Sequence, residues 1–179
     1  MKNLELEPFK SRPDLLAAPV FEALNTINAD DVFVAEIDPS HMGGEEFCAT
    51  YGVDQQDGAN CVILEAKRAD RTWYVATLVP VGHRTDIGGS VRRSLNARKL
   101  SVAPLEYVLS SSRMEYGSIT VIGLPGDWTV LVDARLIYKP HLFIGSGKAR
   151  SKLRVPGSIF SSGGNFVVVP ELGIRMSET

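Results

Sequence analysis

Two cysteines are too few, in a chain of 179 residues, for a disulfide framework. Cys48 and Cys61 also lack any metal-ligand pairing, which suits a reducing compartment and leaves room for one isolated bridge at most. Histidine is equally sparse: His41, His83 and His141 stand far apart, none forms a helical ligand pair, and no metal is expected. No Gly-x-Ser-x-Gly elbow is present, which argues against a hydrolase-type Ser-His-Asp triad. No uninterrupted apolar stretch approaches the ~20 residues of a membrane helix, and the opening MKNLELEPFKSRPD lacks a signal peptide's apolar core. There is no internal repeat, heptad or low-complexity tract. These absences leave one cytoplasmic globular domain with an ordinary core.

Charge is present but unevenly spread. Residues 1–60 carry 12 acids and 3 bases, whereas residues 61–179 carry 9 acids and 16 bases, so a net charge of -2 conceals halves of -9 and +7. Such polarity can give a locally basic surface that a phosphate-bearing partner would use. Hydrophobic patterning then predicts a loosely packed arm, a helix opened by Pro19, a strand over 32–37, and a helix over 45–51 with Phe47 and Tyr51 stacked and Gly52 closing it. Strands follow over 60–65 and 72–81, with AKRADR as the hairpin connection. Thr85 or Asp86 caps a helix carrying Ile87, Val91 and Leu95 on one face, and Asn96 stops it. A strand over 99–102 and a helix from Pro104 to about residue 109 come next. The rest alternates strands with glycine turns, at 119–122, 129–132, 141–144, 152–155 and 165–169. Strands arriving both in hairpins and across helices argue for an α+β fold, a single domain with a mixed sheet.

Two stretches invite a chemical reading. HLFIGSGKARSKLRVPG (141–157) sets Gly-Ser-Gly-Lys behind an apolar run, but a P-loop would need glycine at Leu142 and Ser or Thr at Ala149. It reads instead as a turn between two strands, with Leu153 and Val155 on one face and Lys152 and Arg154 on the other, a solvated one. In MEYGSITVIGLP (114–125), glycines frame a short apolar run, so backbone amides around Gly117, Ser118, Ile119 and Thr120 could point at a ligand oxygen, or the glycines could simply make a bulge. Glu36 and Asp38 alternate on one strand and are equally well explained as a wet strand end.

Taken together, GVDQQDGANCVILEAK, VPVGHRTDIGGSVRRSLNARKLSVAP, MEYGSITVIGLPGDWTVLVDARL and LFIGSGKARSKLRVPG resemble, in order and spacing, the YbaK/prolyl-tRNA-synthetase-associated editing domains, from about residue 32 to 172. The resemblance implies a curved mixed β-sheet flanked by helices around a small pocket, with an arm and helix over 1–31 and a tail over 173–179. It implies a free-standing deacylase of mischarged aminoacyl-tRNA that needs no cofactor and takes the tRNA 3′ end. A synthetase is a conceivable second partner; DNA and membrane are not expected. The cradle would be Gly117, Ser118, Ile119 and Thr120, with Asn60 as an orienting donor. Val121, Gly145, Ser146, Gly147, Lys148 and Lys152 would border the substrate, and Arg92, Arg93, Arg98, Lys99 and Arg150 would meet phosphates. Three departures stand out. Asn60 replaces the family lysine, Val121 replaces a loop-closing proline, and Lys152 falls where some members carry aspartate. The cation lost at one place and gained at the other could be a relocated contact to phosphate or carboxylate. The alternative is a binding module that kept the pocket and lost the chemistry.

Overall fold

The protein is seen in a computed structural model that describes residues 2–27, 29–161 and 164–176, with only the backbone of Ser90. In chain order the elements are β1 (Glu7–Pro8), α1 (Ala18–Thr26), β2 (Phe33–Glu36), α2 (Gly44–Tyr51), β3 (Ala59–Arg68), β4 (Arg71–Pro80) and β5 (His83–Thr85). They continue with α3 (Arg92–Leu95), β6 (Lys99–Val102), α4 (Leu105–Ser112), β7 (Thr129–Asp133), β8 (Leu142–Gly145), β9 (Ser151–Val155), β10 (Phe166–Val169) and β11 (Gly173–Arg175).

Two sheets face each other. One is the antiparallel order β1-β2-β9-β8; the other, β10-β7-β4-β3-β6, is mixed, with β4, β7 and β10 parallel. A single-residue parallel bridge, Gly58 to Phe143, links the edge of the first to the lead-in of β3 in the second. The expected α+β fold with a mixed sheet is therefore what forms. Period-2 alternation explains the layering. Leu142, Ile144, Leu153 and Val155 turn inward to meet Ala59, Ile63, Ala76 and Val130, with Val20 of α1 and Val108 of α4 in the same core. Leu64, Val75, Val79 and Leu131 turn outward under a second core, and Phe143 joins Phe47, Cys48 and Tyr51 of α2 in a third. β4 is buried along its last six residues, as a strand covered on both faces must be.

Most local expectations hold, with instructive differences. Phe47 and Tyr51 pack with ring centroids 5.3 Å apart and planes tilted by 35°, and Gly52 ends α2 at φ 69. Ile87, Val91 and Leu95 pack together on the second core, along a π-helical turn (Ile87–Val91) leading into α3. The Asp86 carboxylate accepts from the Gly89 amide at 3.0 Å, and Asn96 stops the run at φ 50. The expected strand over 119–122 does not form: Gly117 and Gly123 both take positive φ, and the segment between them has no ladder partner. The arm is not loose either. Phe9, Leu15, Leu16 and Ala17 are buried, and the Ala17 amide donates to the Ser146 carbonyl at 3.1 Å. Part of the predicted tail pairs as β11 with β5, and its residues 177–179 lie outside the described ones.

Candidate functional site

The site lies where the first residues of β3, the loop at 117–120 and the ends of β8 and β9 converge beneath α2. Its floor depends on a missing side chain. Gly145 of β8 stands opposite Lys152 of β9, and a Cβ on Gly145 would lie 2.5 Å from the Ser118 carbonyl oxygen and 2.9 Å from that of Ile119. The 117–120 loop therefore rests directly on β8, beside Lys152. It is pinned by the Gly147 amide donating to the Ser118 carbonyl (2.8 Å) and by the Ser118 amide donating to the Glu115 carbonyl (3.2 Å). The Thr120 amide approaches Met114 Sδ at 3.5 Å, while Thr120 Oγ1, fully buried, has no partner among the described residues. Among those residues the amides of Gly117 and Ile119 also find no acceptor. Gly117 sits at φ +77 with the Met42 side chain against the position a Cβ would take.

The roof is α2 with its lead-in. Gly44 admits Asn60: a Cβ on Gly44 would collide with the Asn60 carboxamide and lie 2.9 Å from Val81 Cγ2. One turn on, Phe47 places its ring 5.5 Å from Lys152 Nζ, and Cys48 lies near the same ammonium. Lys152 is only 7 % exposed. Among the described residues no carboxylate pairs with it and no hydrogen bond reaches it; its one polar contact is with the Phe47 ring face. Burial accordingly lowers its pKa to about 8, offset slightly by Cys48. Burial raises the Cys48 thiol to about 11, so near neutrality the pocket holds one ammonium and no thiolate. Cys61 turns away toward the main core; burial lifts its thiol to about 12, and both cysteines are free.

The sequence-predicted residues thus divide into groups. Asn60, Gly117, Ser118, Ile119, Thr120, Gly145 and Lys152 converge. Val121 is buried in the main core. Ser146 is wholly buried and ties the turn together, its Oγ 2.7 Å from Ser151 Oγ and accepting the Lys148 amide at 3.2 Å. Gly147, at φ +82, packs on Ala17. Lys148 and Arg150 are already engaged: Lys148 Nζ donates to the Asp14 carbonyl at 2.8 Å, and Arg150 lies 3.4 Å from both Glu36 and Asp14 carboxylate oxygens. Arg92, Arg93, Arg98 and Lys99 lie along α3 and β6. Lys99 pairs with Lys67, seven residues along β3 from Asn60, which at ~3.3 Å per residue is roughly 23 Å away.

Lys152 is where the sequence reading needs correction. The alternation is right, but its face is covered by α2 rather than wet; Arg154 on the same face is half-buried, its guanidinium 4.5 Å from the Phe33 ring. Met42, Gly44, Phe47, Cys48 and Val81 were not foreseen as site residues. The paired glycines Gly43-Gly44 ahead of a helix were the available signal.

Behind Val81 lies a cleft of about 500 Å³, lined also by Gln55, Gln56, His83, Arg135 and Lys139. Arg135 lies 3.0 Å from His83 Nε2, so the permanently charged guanidinium donates, and the ring proton sits on Nδ1 facing the Val81 carbonyl.

Around α2 and its lead-in the α+β frame gathers Asn60 against Gly44, Gly117 against Met42 and Lys152 against Phe47. The chain belongs to the aminoacyl-tRNA editing domain family, whose pattern it matches over residues 38–159. Solved structures agree in fold. A candidate trans-editing enzyme for prolyl-tRNA synthetase superposes with a TM-score of 0.73 at 19% identity, covering 86% of this chain and 94% of its own. The hypothetical protein APE2540 gives 0.76 at 16% identity, covering 87% and 99%. A signal transduction protein from Marinobacter aquaeolei VT8 gives 0.56 at 18% identity, over 81% of this chain and 28% of its own. No curated protein matches the sequence. Among the described residues no helix is long and apolar enough to cross a membrane, and no cluster of side chains could hold a metal ion.

Proposed function

We propose that this protein is a cytoplasmic, free-standing deacylase that removes a misattached amino acid from the 3′ end of tRNA. The observation carrying this reading is the loop at 117–120, whose Gly117 and Ile119 amides have no acceptor among the described residues while Thr120 Oγ1 is buried without one. Donors of this kind, fixed before the substrate arrives, stabilise an oxyanion as it develops, at little reorganisation cost. An aminoacyl ester is already activated. Water held against the acyl carbon can add, the ester C–O bond breaks, and the proton goes to the departing ribose oxygen, so positioning can replace a strong side-chain nucleophile.

In this reading Asn60 donates to the ribose or the acyl oxygen, and Gly145 keeps the floor low enough for the loop. Lys148 and Arg150 flank the entrance, with Arg92, Arg93, Arg98 and Lys99 reserved for phosphates farther along the acceptor stem. The test is a panel of mischarged tRNAs. Purified protein should release free amino acid from at least one of them well above the spontaneous rate, and Gly117→Ala should abolish that release. A protein that binds these tRNAs and releases nothing would be the binding module instead.

A further inference from the structure

We propose that the acyl group this site accepts carries a carboxylate, and that Lys152 is the residue that selects it. The inference rests on the editing reading and names its substrate class.

A buried ammonium is normally compensated by an anion or by hydrogen bonds, because the cost of removing it from water is otherwise unmet. Lys152 has neither. It projects from β9, 7 % exposed, between the Phe47 ring and the Cys48 thiol, with no carboxylate paired to it among the described residues. The acidic side chains beside the turn are committed elsewhere, Glu115 accepting from the Ala149 amide at 2.7 Å and Glu36 and Asp14 pairing with Arg150, and those on the Cys48 side, Glu45, Asp54 and Asp57, form no ion pair with Lys152 among the described residues. A bound molecule must therefore supply the missing counter-charge.

Position decides which part of a substrate supplies it. Lys152 is opposite Gly145, on which the Ser118 and Ile119 carbonyls rest, so it stands beside the 117–120 loop and under α2. With an ester carbonyl on those amides, the side chain of the acyl group is the portion that reaches beneath α2. The RNA phosphates remain outside. An aminoacyl ester with a neutral side chain would bring only its α-ammonium, a second cation, into a pocket that already has one. An aspartyl or glutamyl group brings the anion that balances Lys152, and the Nζ–H donors give it direction.

The experiment compares binding of two non-hydrolysable analogues, 3′-deoxy-3′-(aspartylamido)adenosine and its asparaginyl counterpart, by calorimetry. The wild-type protein should bind the aspartyl compound about tenfold more tightly or better, and Lys152→Met, which fills the same volume without charge, should lose that preference. Equal affinities, or a preference that survives in Lys152→Met, would overturn the proposal. So would a Lys152-dependent gain from adding a 5′-phosphate to adenosine alone, because the counter-charge would then come from the RNA backbone. The deacylation panel separates the two levels. Release from alanyl- or seryl-tRNA but not from aspartyl- or glutamyl-tRNA sinks the carboxylate selection and leaves editing intact. A Lys152-dependent preference for the aspartyl analogue without release from any tRNA supports the selection and sinks the hydrolysis.

Discussion

Lys152 shows what one residue can cost a fold. Burial brings its pKa from 10.5 to about 8, so between those values the unfolded chain binds a proton that the native state refuses, and stability must rise with pH across that window. Below pH 8 both states are protonated and the full penalty applies, about 3 kcal/mol from the size of the shift. Cys48 and Cys61 act oppositely. Their thiols ionise near pH 9 when unfolded but only near 11 and 12 when folded, so stability falls from pH 9 upward. Urea titrations should therefore place Lys152→Met above wild type at pH 7 by up to about 3 kcal/mol, with the gap closing between pH 8 and 10.5. A gap unchanged by pH would mean that something other than the buried charge sets it. Gly117 offers a second check. Gly117→Ala adds a Cβ at φ +77, costing about 1–2 kcal/mol, and sets it against Met42. Met42→Ala should recover only the steric part, measurable as a coupling of about 1 kcal/mol in a double-mutant cycle. From sequence the role of Lys152 was half legible: alternation assigns a face, yet nothing local tells which helix will cover it.

At the scale of elements, legibility followed the strength of the local signal. Helix stops at Gly52 and Asn96 and the apolar stripe Ile87, Val91, Leu95 were readable because the causes lie within a turn of their effects. β11 was not, because what holds it is remote. The buried Asp133 carboxylate accepts from the Gly173 amide at 2.9 Å and from Arg135 at 2.6 and 2.7 Å, and Arg135 in turn donates to the Gly173 carbonyl at 2.7 Å. Arg135 together with the Gly173 and Arg135 amides holds Asp133 below the usual carboxylate range against its burial, so this contribution is present at neutral pH and is lost on acidification. Asp133→Asn should cost about 2–3 kcal/mol. Hydrogen exchange should show β5 and β11 opening first. The failed strand over 119–122 has the same lesson in reverse. Its residues have strand-like composition, but the glycines on either side turn the backbone away from any neighbour.

For the molecule as a whole, the acidic N-terminal half and basic remainder meet in space rather than standing apart. Asp14 and Glu36 hold Arg150, and Asp57 holds Lys139 at 3.0 Å. Part of the apparent basic footprint is thus consumed internally, which composition could not reveal. The N-terminal arm is part of that exchange, since Ser151 Oγ donates to the Leu15 carbonyl at 2.5 Å and Lys148 to that of Asp14. Deleting residues 2–16 should lower the melting temperature and expose the 145–151 turn to protease, although the deleted residues touch none of the loop amides. Rapid digestion confined to some other loop would contradict this anchoring.

The bridge between Gly58 and Phe143 is a single backbone link between the two sheets. Asn60 belongs to one leaf, Gly145 and Lys152 to the other, so an occupant gripping all three would stitch the leaves together. Occupancy should then be readable at a distance, as slower amide exchange along β3 and β8 together, in residues that never meet the guest.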